Sequence, residues 1–583
     1  MDFDRDIMHL LIPMLSLSND NLGTEAVPPR PLSFDRVNEG KAPVSDALPL
    51  TLPFELIGQI LESLPRSSLA CLALVCRDCR QIARSRQFAS ITLDYSDHSV
   101  ALVEKLLAEA TIRVGSYGGS KNISQSLGVC IRRITVATHP VWVAARHNIA
   151  LKDKFLALSE RTRARRLANA SKHFFDVYLP KIQLLLGSKI VLPHLESLDW
   201  RDKIALPRSF FERLPSTSIQ HLRLFRVKVS EAFEINLPRP SKGWPLRTLY
   251  MEVVSGFDGD KPNTSLMCAS ILRLCAPTLE SLTWRTFLIE DEHHSFATYT
   301  MESTPQFPRL RSLKLQTVLF SDYSMLDALL EGDLRELEVD LGHDSLYSEF
   351  FEQRGTMPAL TTLVWDGKIK ADQSLSFLQA NTQLSKLSFQ WEAPGVFLET
   401  RLLPLLTKSF RHLTSLSLKW EGDSIPGSAL EAISSLEILQ QLHLSAGHQH
   451  GWRYSWFIDH ALMRSRLKKL TSLRRMAFTR DIYDNEVEWS APDRYYEDRF
   501  HNDLDLDADE DEWETWHCES MLSEARKYTM EMPDLEWVHF GQLHMRVSRK
   551  DESHGGGAHA FALSKERDQW WTYLREMFGW KAI

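Results

Sequence analysis

LRSLKLQ at residues 310–316, LRELEVD at 334–340 and LTTLVWD at 360–366 share one spelling: an apolar residue, two variable ones, an apolar, one variable, an apolar. The final residues alternate, as they do in a strand with one buried face, where successive side chains point to opposite sides. Working outward in both directions, the same spacing recurs at Ile131, Leu195, Ile219, Leu246 and Leu279, and again at Leu384, Leu413, Leu439, Leu473 and Leu535. Thirteen copies, most of them 24 to 34 residues apart, exceed what a leucine-containing composition gives by chance. They are an internal repeat.

Between copies, SLMCASILRLCA from Ser265, SDYSMLDALLEG from Ser321 and GSALEAISSLEIL from Gly427 read as helices. Strand then helix, iterated, requires parallel strands with right-handed crossovers. The expected fold class is therefore α/β, a curved parallel sheet with helical crossovers built as an irregular leucine-rich-repeat solenoid over residues 96–545. Its units fit the usual repeat length of about 20 to 29 residues loosely. Lys203, Val227 and Val318 stand where regular repeats carry Asn or Cys. Two long spacers are read as insertions: 137–191, helical and basic, and 480–533, an acidic loop followed by a helix. Residues 546–583 are expected to be a loop and a capping helix, WWTYLREMFGW from Trp570, that covers the last repeat.

The chain has 583 residues, 43% hydrophobic and 25% charged, a composition that argues for a globular protein rather than a disordered or membrane-spanning one. IMHLLIPML from Ile7 follows acidic MDFDRD and is broken by Pro13, unlike a signal peptide. Seven cysteines without framework spacing fit a reducing compartment, so cytosol or nucleus is expected. The net charge of −8 equals the eight acids between Asp503 and Glu514. The remainder is neutral, without the basic balance of a nucleic-acid binder.

Residues 1–47 carry no apolar period and read as a flexible leader. LPFELIGQILESLPRSSLACLALVCRDCRQIA, from Leu52 to Ala83, follows as three short helices separated near Pro65 and Cys76. About 40 residues bury too little surface to stand alone without a partner, so some of these apolar residues need covering. Packing on the first repeat is one way to cover them. Another comes from resemblance. Leu52-Pro53, Glu55-Leu56, Ile60-Leu61, Leu64, Leu69, Leu72, Val75-Cys76-Arg77, Arg80, Ala83 and Phe88 resemble an F-box, placed at 48–95, and the whole chain is similar to fungal F-box proteins with degenerate leucine-rich repeats. Cys79 and Ser68 depart from that pattern, where Trp and Asp are frequent.

The resemblance implies a module that docks on a Skp-type adaptor of a cullin-RING ubiquitin ligase, with the repeats recruiting a protein substrate. The adaptor surface it carries over is Leu52, Pro53, Leu56, Ile60, Leu61, Leu64, Leu69, Leu72 and Val75. It implies no catalytic residue, no cofactor and no metal. A scaffold that holds the adaptor without ubiquitin transfer is the alternative. On the repeats, positions three, five and seven point away from the core, toward the concave side. Arg201, Arg223, Phe225, Tyr250, Arg285, Lys314, Asp366, Lys386, His443 and Trp537 are the substrate-facing candidates, while Trp200, Trp284 and Trp365 fall on core positions.

Other motifs are weaker. Cys76-Arg-Asp-Cys79 has zinc spacing but no second ligand pair nearby. His554-Gly-Gly-Gly557 resembles an oxyanion loop without any GxSxG to serve. Asp503, Asp505, Asp507 and Glu514 occupy calcium-loop positions, but Ala508 replaces the turn glycine. RTRARR at residues 161–166 reads as the wet side of a helix, with a nuclear signal or a nucleic-acid or phosphate contact as alternatives. Neither nucleic acid nor membrane is an expected partner.

Overall fold

The computed structural model describes residues 37, 52–115, 126–149, 158–202, 204–229, 231–235, 244–255, 257–258, 261–262, 264–288, 297–299, 304–340, 345–366, 371–450, 453–456, 458–479, 508–541, 543–549, 558–563, 574 and 577–578. The leader, apart from Val37, and the 554–557 glycine loop lie outside them. They form two compact units, Phe3–Leu310 with Val318–Gly332, and Arg311–Thr317 with Asp333–Ile583. Among the described residues no helix is long and apolar enough to cross a membrane.

The first unit opens with α1 (Phe54–Ser63), α2 (Arg66–Val75) and α3 (Arg77–Gln87). Proline marks both early starts: Pro53 precedes α1 and Pro65 precedes α2, where a fixed φ and a missing N–H cost nothing. Cys76 starts α3, its Sγ accepting the Cys79 amide at 3.3 Å. The CxxC pair is thus a helix cap, and burial pushes the Cys79 thiol up to about 11, which keeps it protonated near neutrality.

α3 buries one face, including Gln81, Ile82, Ala83 and Ser85. The Gln81 amide nitrogen donates to Val37 O at 3.3 Å and Ser126 O at 3.1 Å, and lies 3.5 Å from Cys130 Sγ. At Gly128, inside the same turn, a Cβ would strike the Val191 carbonyl, so the close approach requires glycine.

Two residues beyond α3 the sheet begins. β1 (Ser90–Leu93), β2 (Arg133–Val136), β3 (Ser197–Trp200), β4 (His221–Lys228), β5 (Thr248–Ser255) and β6 (Ser281–Leu288) pair in parallel and in chain order. Ile91, Ile134, Leu198, Leu222, Leu249 and Leu282 stack in register, each buried. β1 lies inside the interval read as F-box; Phe88, Ile91 and Leu93 already carry the repeat spacing. Between β2 and β3 lie helices at Pro140–Arg146, Glu160–His173 and Leu179–Leu186, and Arg161 and Arg165 of the second are exposed.

The second unit repeats the design. β7 (Ser312–Gln316), β8 (Glu336–Asp340), β9 (Thr362–Asp366), β10 (Lys386–Ala393), β11 (Ser415–Trp420), β12 (Gln441–Ser445), β13 (Arg475–Phe478) and β14 (Trp537–Phe540) are parallel neighbours. Leu313, Leu337, Leu363, Leu387, Leu416, Leu442, Met476 and Val538 align across all eight. Parallel strands need crossovers, and helices such as Ser345–Arg354 and Ala371–Ala380 supply them. Trp365 packs between Phe351 and Phe377 of those helices, with ring centroids 5.3 and 5.7 Å away. Trp200 and Trp284 are likewise buried core.

The side chain that holds a turn changes from repeat to repeat, which explains why a regular asparagine signature is missing. Asn381 accepts the Met357 amide at 2.7 Å and donates to Gly355 O and Phe377 O. In another repeat buried Asp202 accepts both the amide and the hydroxyl of Thr138 at 2.6 Å; burial raises its carboxyl to about 6, against the opposing pull of those bonds.

Two expectations need correction. Residues 546–583 are not simply loop and helix: β15 (Leu543–Arg549) pairs antiparallel with β14 and β16 (Ala558–Ala562) antiparallel with β15, so strands cover the last parallel edge. And Ala508 begins a helix, Ala508–Glu531, so the acidic tract from there to Glu514 is helical and no twelve-residue loop closes over 503–514. Its acids sit in the first turns, where the helix dipole favours negative charge.

Candidate protein-binding surfaces

In the three-helix segment, the apolar residues divide by depth. Leu61, Leu69 and Ile82 form a small core with Ile57, Leu64 and Leu72 packed against it. Leu52, Leu56 and Ile60 remain 40%, 45% and 47% exposed, Leu74 and Val75 80% and 68%, and Pro53 is exposed as well. Leu56 and Ile60, four apart, share one face of α1. Of the nine residues carried over for an adaptor, Leu61 and Leu69 are therefore consumed internally and Leu64 and Leu72 half so. Helices with few residues must spend their best-placed leucines on each other. Leu74 belongs with the exposed set and was missed, although its place one residue before Val75 was visible.

On the open face of the first unit's sheet, Glu252 is fully buried and its carboxylate is surrounded. Tyr250 Oη donates to it at 2.6 Å, Arg226 Nε at 3.0 Å and Arg285 at 3.3 Å. Burial, reinforced by Glu252, pushes the Tyr250 hydroxyl up to about 12. Arg223 lies over the Tyr250 ring at 4.7 Å, and Arg201 pairs with Asp199 at 2.8 Å. Arg226 joins the cluster because a register shift between Leu224 and Val227 turns it to this side, at a φ of 46°. Arg201, Arg223, Tyr250 and Arg285 are half-buried as a surface ladder should be, whereas Phe225 is buried, stacked on Tyr250 and covered by the Arg226 guanidinium.

On the open face of the second unit's sheet, register places Lys314, Glu338, Val364, Ser388, Ser417, His443, Ala477 and His539 in one row. Lys314 pairs with Glu338 at 2.9 Å, and Lys314, Asp366 and Lys386 are half-buried. His443 and Trp537 are buried, contrary to expectation. The C-terminal residues lie on them: Leu574, Met577 and Phe578 form a buried cluster with Ala477 and Trp537, and the Phe578 ring stands 5.4 Å from that of His443. Gln390 Nε2 donates to Phe578 O at 3.0 Å. Leu574, Met577 and Phe578 thus lie on the sheet's open face.

His539, stacked on Trp537 and bonded to Gly541 O at 2.9 Å, has its pKa pushed down to about 3 by burial and by its cross-strand partner His544, itself lowered by burial. The unfolded chain takes up a proton near its ordinary value of 6.5, so stability is complete above that pH and falls as pH drops from there toward 3. The expected slope from His539 is about 1.4 kcal/mol per pH unit. Urea melts at pH 7 and pH 5 should show this loss, and His539→Phe should remove most of it; an equal acid response in both chains is the contrary result.

An F-box domain model matches residues 49–90. The match ends at the first residue of β1, so the F-box spans α1 to α3 and meets the repeats with no linker. No curated protein matches the chain. Among solved structures, an internalin (inlF) from Listeria monocytogenes aligns at 14% identity over 51% of this chain and 82% of its own, with a TM-score of 0.25. TLR13, in a complex with ssRNA13, aligns at 13% identity over 50% of this chain and 43% of its own, with a TM-score of 0.28.

Proposed function

We propose that the chain is the substrate receptor of a Skp–cullin–RING-type ubiquitin ligase, acting in the cytosol or nucleus. The F-box docks on the Skp-type adaptor through Leu52, Pro53, Leu56, Ile60, Leu74 and Val75, and the open faces of the repeat sheets hold a protein substrate. The observation that carries this reading is the apolar face of α1, exposed on a module whose internal core is already filled. Leaving such side chains in water forgoes several kcal/mol at about 25 cal/mol per Å², which a partner recovers. Arg201, Arg223, Tyr250, Arg285, Lys314 and Lys386 are the substrate-reading candidates, arginine and tyrosine being the types that anchor interfaces.

The chemistry asked of this chain is proximity. Bringing a substrate lysine beside a charged ubiquitin-conjugating enzyme turns a bimolecular encounter into a local one. Affinity purification of the full chain is expected to recover a Skp-type adaptor together with a cullin. Recovery of the adaptor without a cullin supports a scaffold instead, and recovery of neither overturns the proposal.

A further inference from the structure

Cys76 and Cys79 stand at the corner where α2 ends and α3 begins, and both are thiols in this structure. The helix cap they form needs one sulfur, not two. Only Cys76 Sγ serves in it, accepting the Cys79 amide at 3.3 Å, and an oxygen side chain would cap as well. Cys79 adds a second thiol that the cap does not use.

The geometry suits a bond between the two. Residues three apart across a helical turn have Cα atoms about 5 Å from each other, inside the span of about 4.4–6.8 Å that a disulfide bridges. The two thiols already hydrogen bond with one another. Their settings differ in the way a reacting pair requires. Cys76 is half-buried, and its sulfur meets an N–H at the helix start, where a sulfur anion is well held. Cys79 is 5% exposed and keeps its proton until it reacts.

We infer that Cys76 and Cys79 are a redox modification site, at which hydrogen peroxide joins them in a disulfide that a small thiol reverses. The Cys76 thiolate attacks one peroxide oxygen, the O–O bond breaks, and the hydroxide released takes up a proton to become water. Cys79 then attacks the resulting sulfenic sulfur: the S–S bond forms, the S–O bond breaks, and the leaving hydroxide carries off the Cys79 proton as a second water. Two thiols and one peroxide thus give one disulfide and two waters. Two equivalents of a thiol restore the pair by exchange and leave as their own disulfide. In a reducing compartment such a bond is transient and signals oxidant. One consequence rests on the proposed docking function: an adaptor seated on Leu74 and Val75 covers the neighbouring Cys76 and slows its oxidation.

The full chain is treated with hydrogen peroxide at pH 7, blocked with iodoacetamide and cut with trypsin after Arg66, Arg77 and Arg80, which puts the two sulfurs on separate peptides, 67–77 and 78–80. The expected product is one linked species, lighter by two hydrogens than the two reduced peptides together and separated by dithiothreitol. Cys71 shares the first peptide and is the more exposed thiol, so exposure alone would oxidise it first. The linked species should instead form at least ten-fold faster than Cys71 is oxidised, persist in Cys71→Ser and vanish in Cys76→Ser. Absence of the linked species, its survival in Cys76→Ser, or earlier oxidation of Cys71 overturns the inference. If Cys76→Ser folds poorly, Cys71→Ser decides alone, because only Cys76 then remains to link the two peptides. With a Skp-type adaptor bound, the linked species should form at least ten-fold more slowly. Formation at an unchanged rate keeps the redox site and sinks the placement of the adaptor on Val75.

Discussion

A chain carrying Leu56→Asp and Ile60→Asp is expected to lose capture of a Skp-type adaptor by at least 100-fold while melting close to the unaltered protein. Both side chains are nearly half exposed, so a charge there costs the free chain little. Each has about half its surface left to bury, worth roughly 0.7–1.5 kcal/mol at an interface, and the unpaired carboxylate that replaces it adds about 1–3 kcal/mol of desolvation, so the pair together exceeds the roughly 2.8 kcal/mol that separates affinities 100-fold. Leu61→Ala makes the contrast. Leu61 is packed with Leu69 and Ile82, and removing it costs about 2–5 kcal/mol of a small core, so adaptor capture and module stability should fall together. Pull-down alongside differential scanning calorimetry separates the two patterns; undiminished capture by the double-aspartate chain means the adaptor sits elsewhere.

Glu252→Ala is expected to destabilise the first unit by about 2–3 kcal/mol, discounted from the cost of breaking a wholly buried pair because both arginines keep part of their hydration. The loss comes less from the missing attraction than from what stays behind: Arg226 and Arg285 facing each other without their shared acid, and a Tyr250 hydroxyl without its acceptor. Glu252→Gln retains an acceptor for Tyr250 and should lose about half as much. Urea denaturation reads both, and a loss below about 0.5 kcal/mol for the alanine would mean the arginines find other acids.

The strands were readable because their requirement is local. A residue at position four or six of a repeat must be apolar whichever neighbour it meets, so Leu313, Leu337 and Leu363 declare themselves in isolation. The three helices were readable for the same reason, from spacing and proline punctuation. What spacing does not resolve is which leucine of a short helix faces inward when both faces are apolar, and so Leu61 and Leu69 looked like docking residues until α3 was placed against them. Phe88, Ile91 and Leu93 carried the repeat signal but were read as the end of the F-box. The open faces were the least legible part. Position alone put His443 and Trp537 in solvent, because nothing about them announces that residues more than thirty positions further on fold back to cover them. Arg226 was hidden differently, since a register shift is a property of two strands together.

The junction between α3 and β1 has a geometric consequence. The clamp of Gln81 on Val37, Ser126 and Cys130, with Gly128 pressed on the Val191 carbonyl, leaves no hinge between the docking helices and the first strands. If the proposed function holds, cargo on the first unit's open face could not swing relative to the adaptor as it would on a tether. It would be carried in one pose, and the lysines that receive ubiquitin would be chosen by where they fall in that pose, not by how exposed they are.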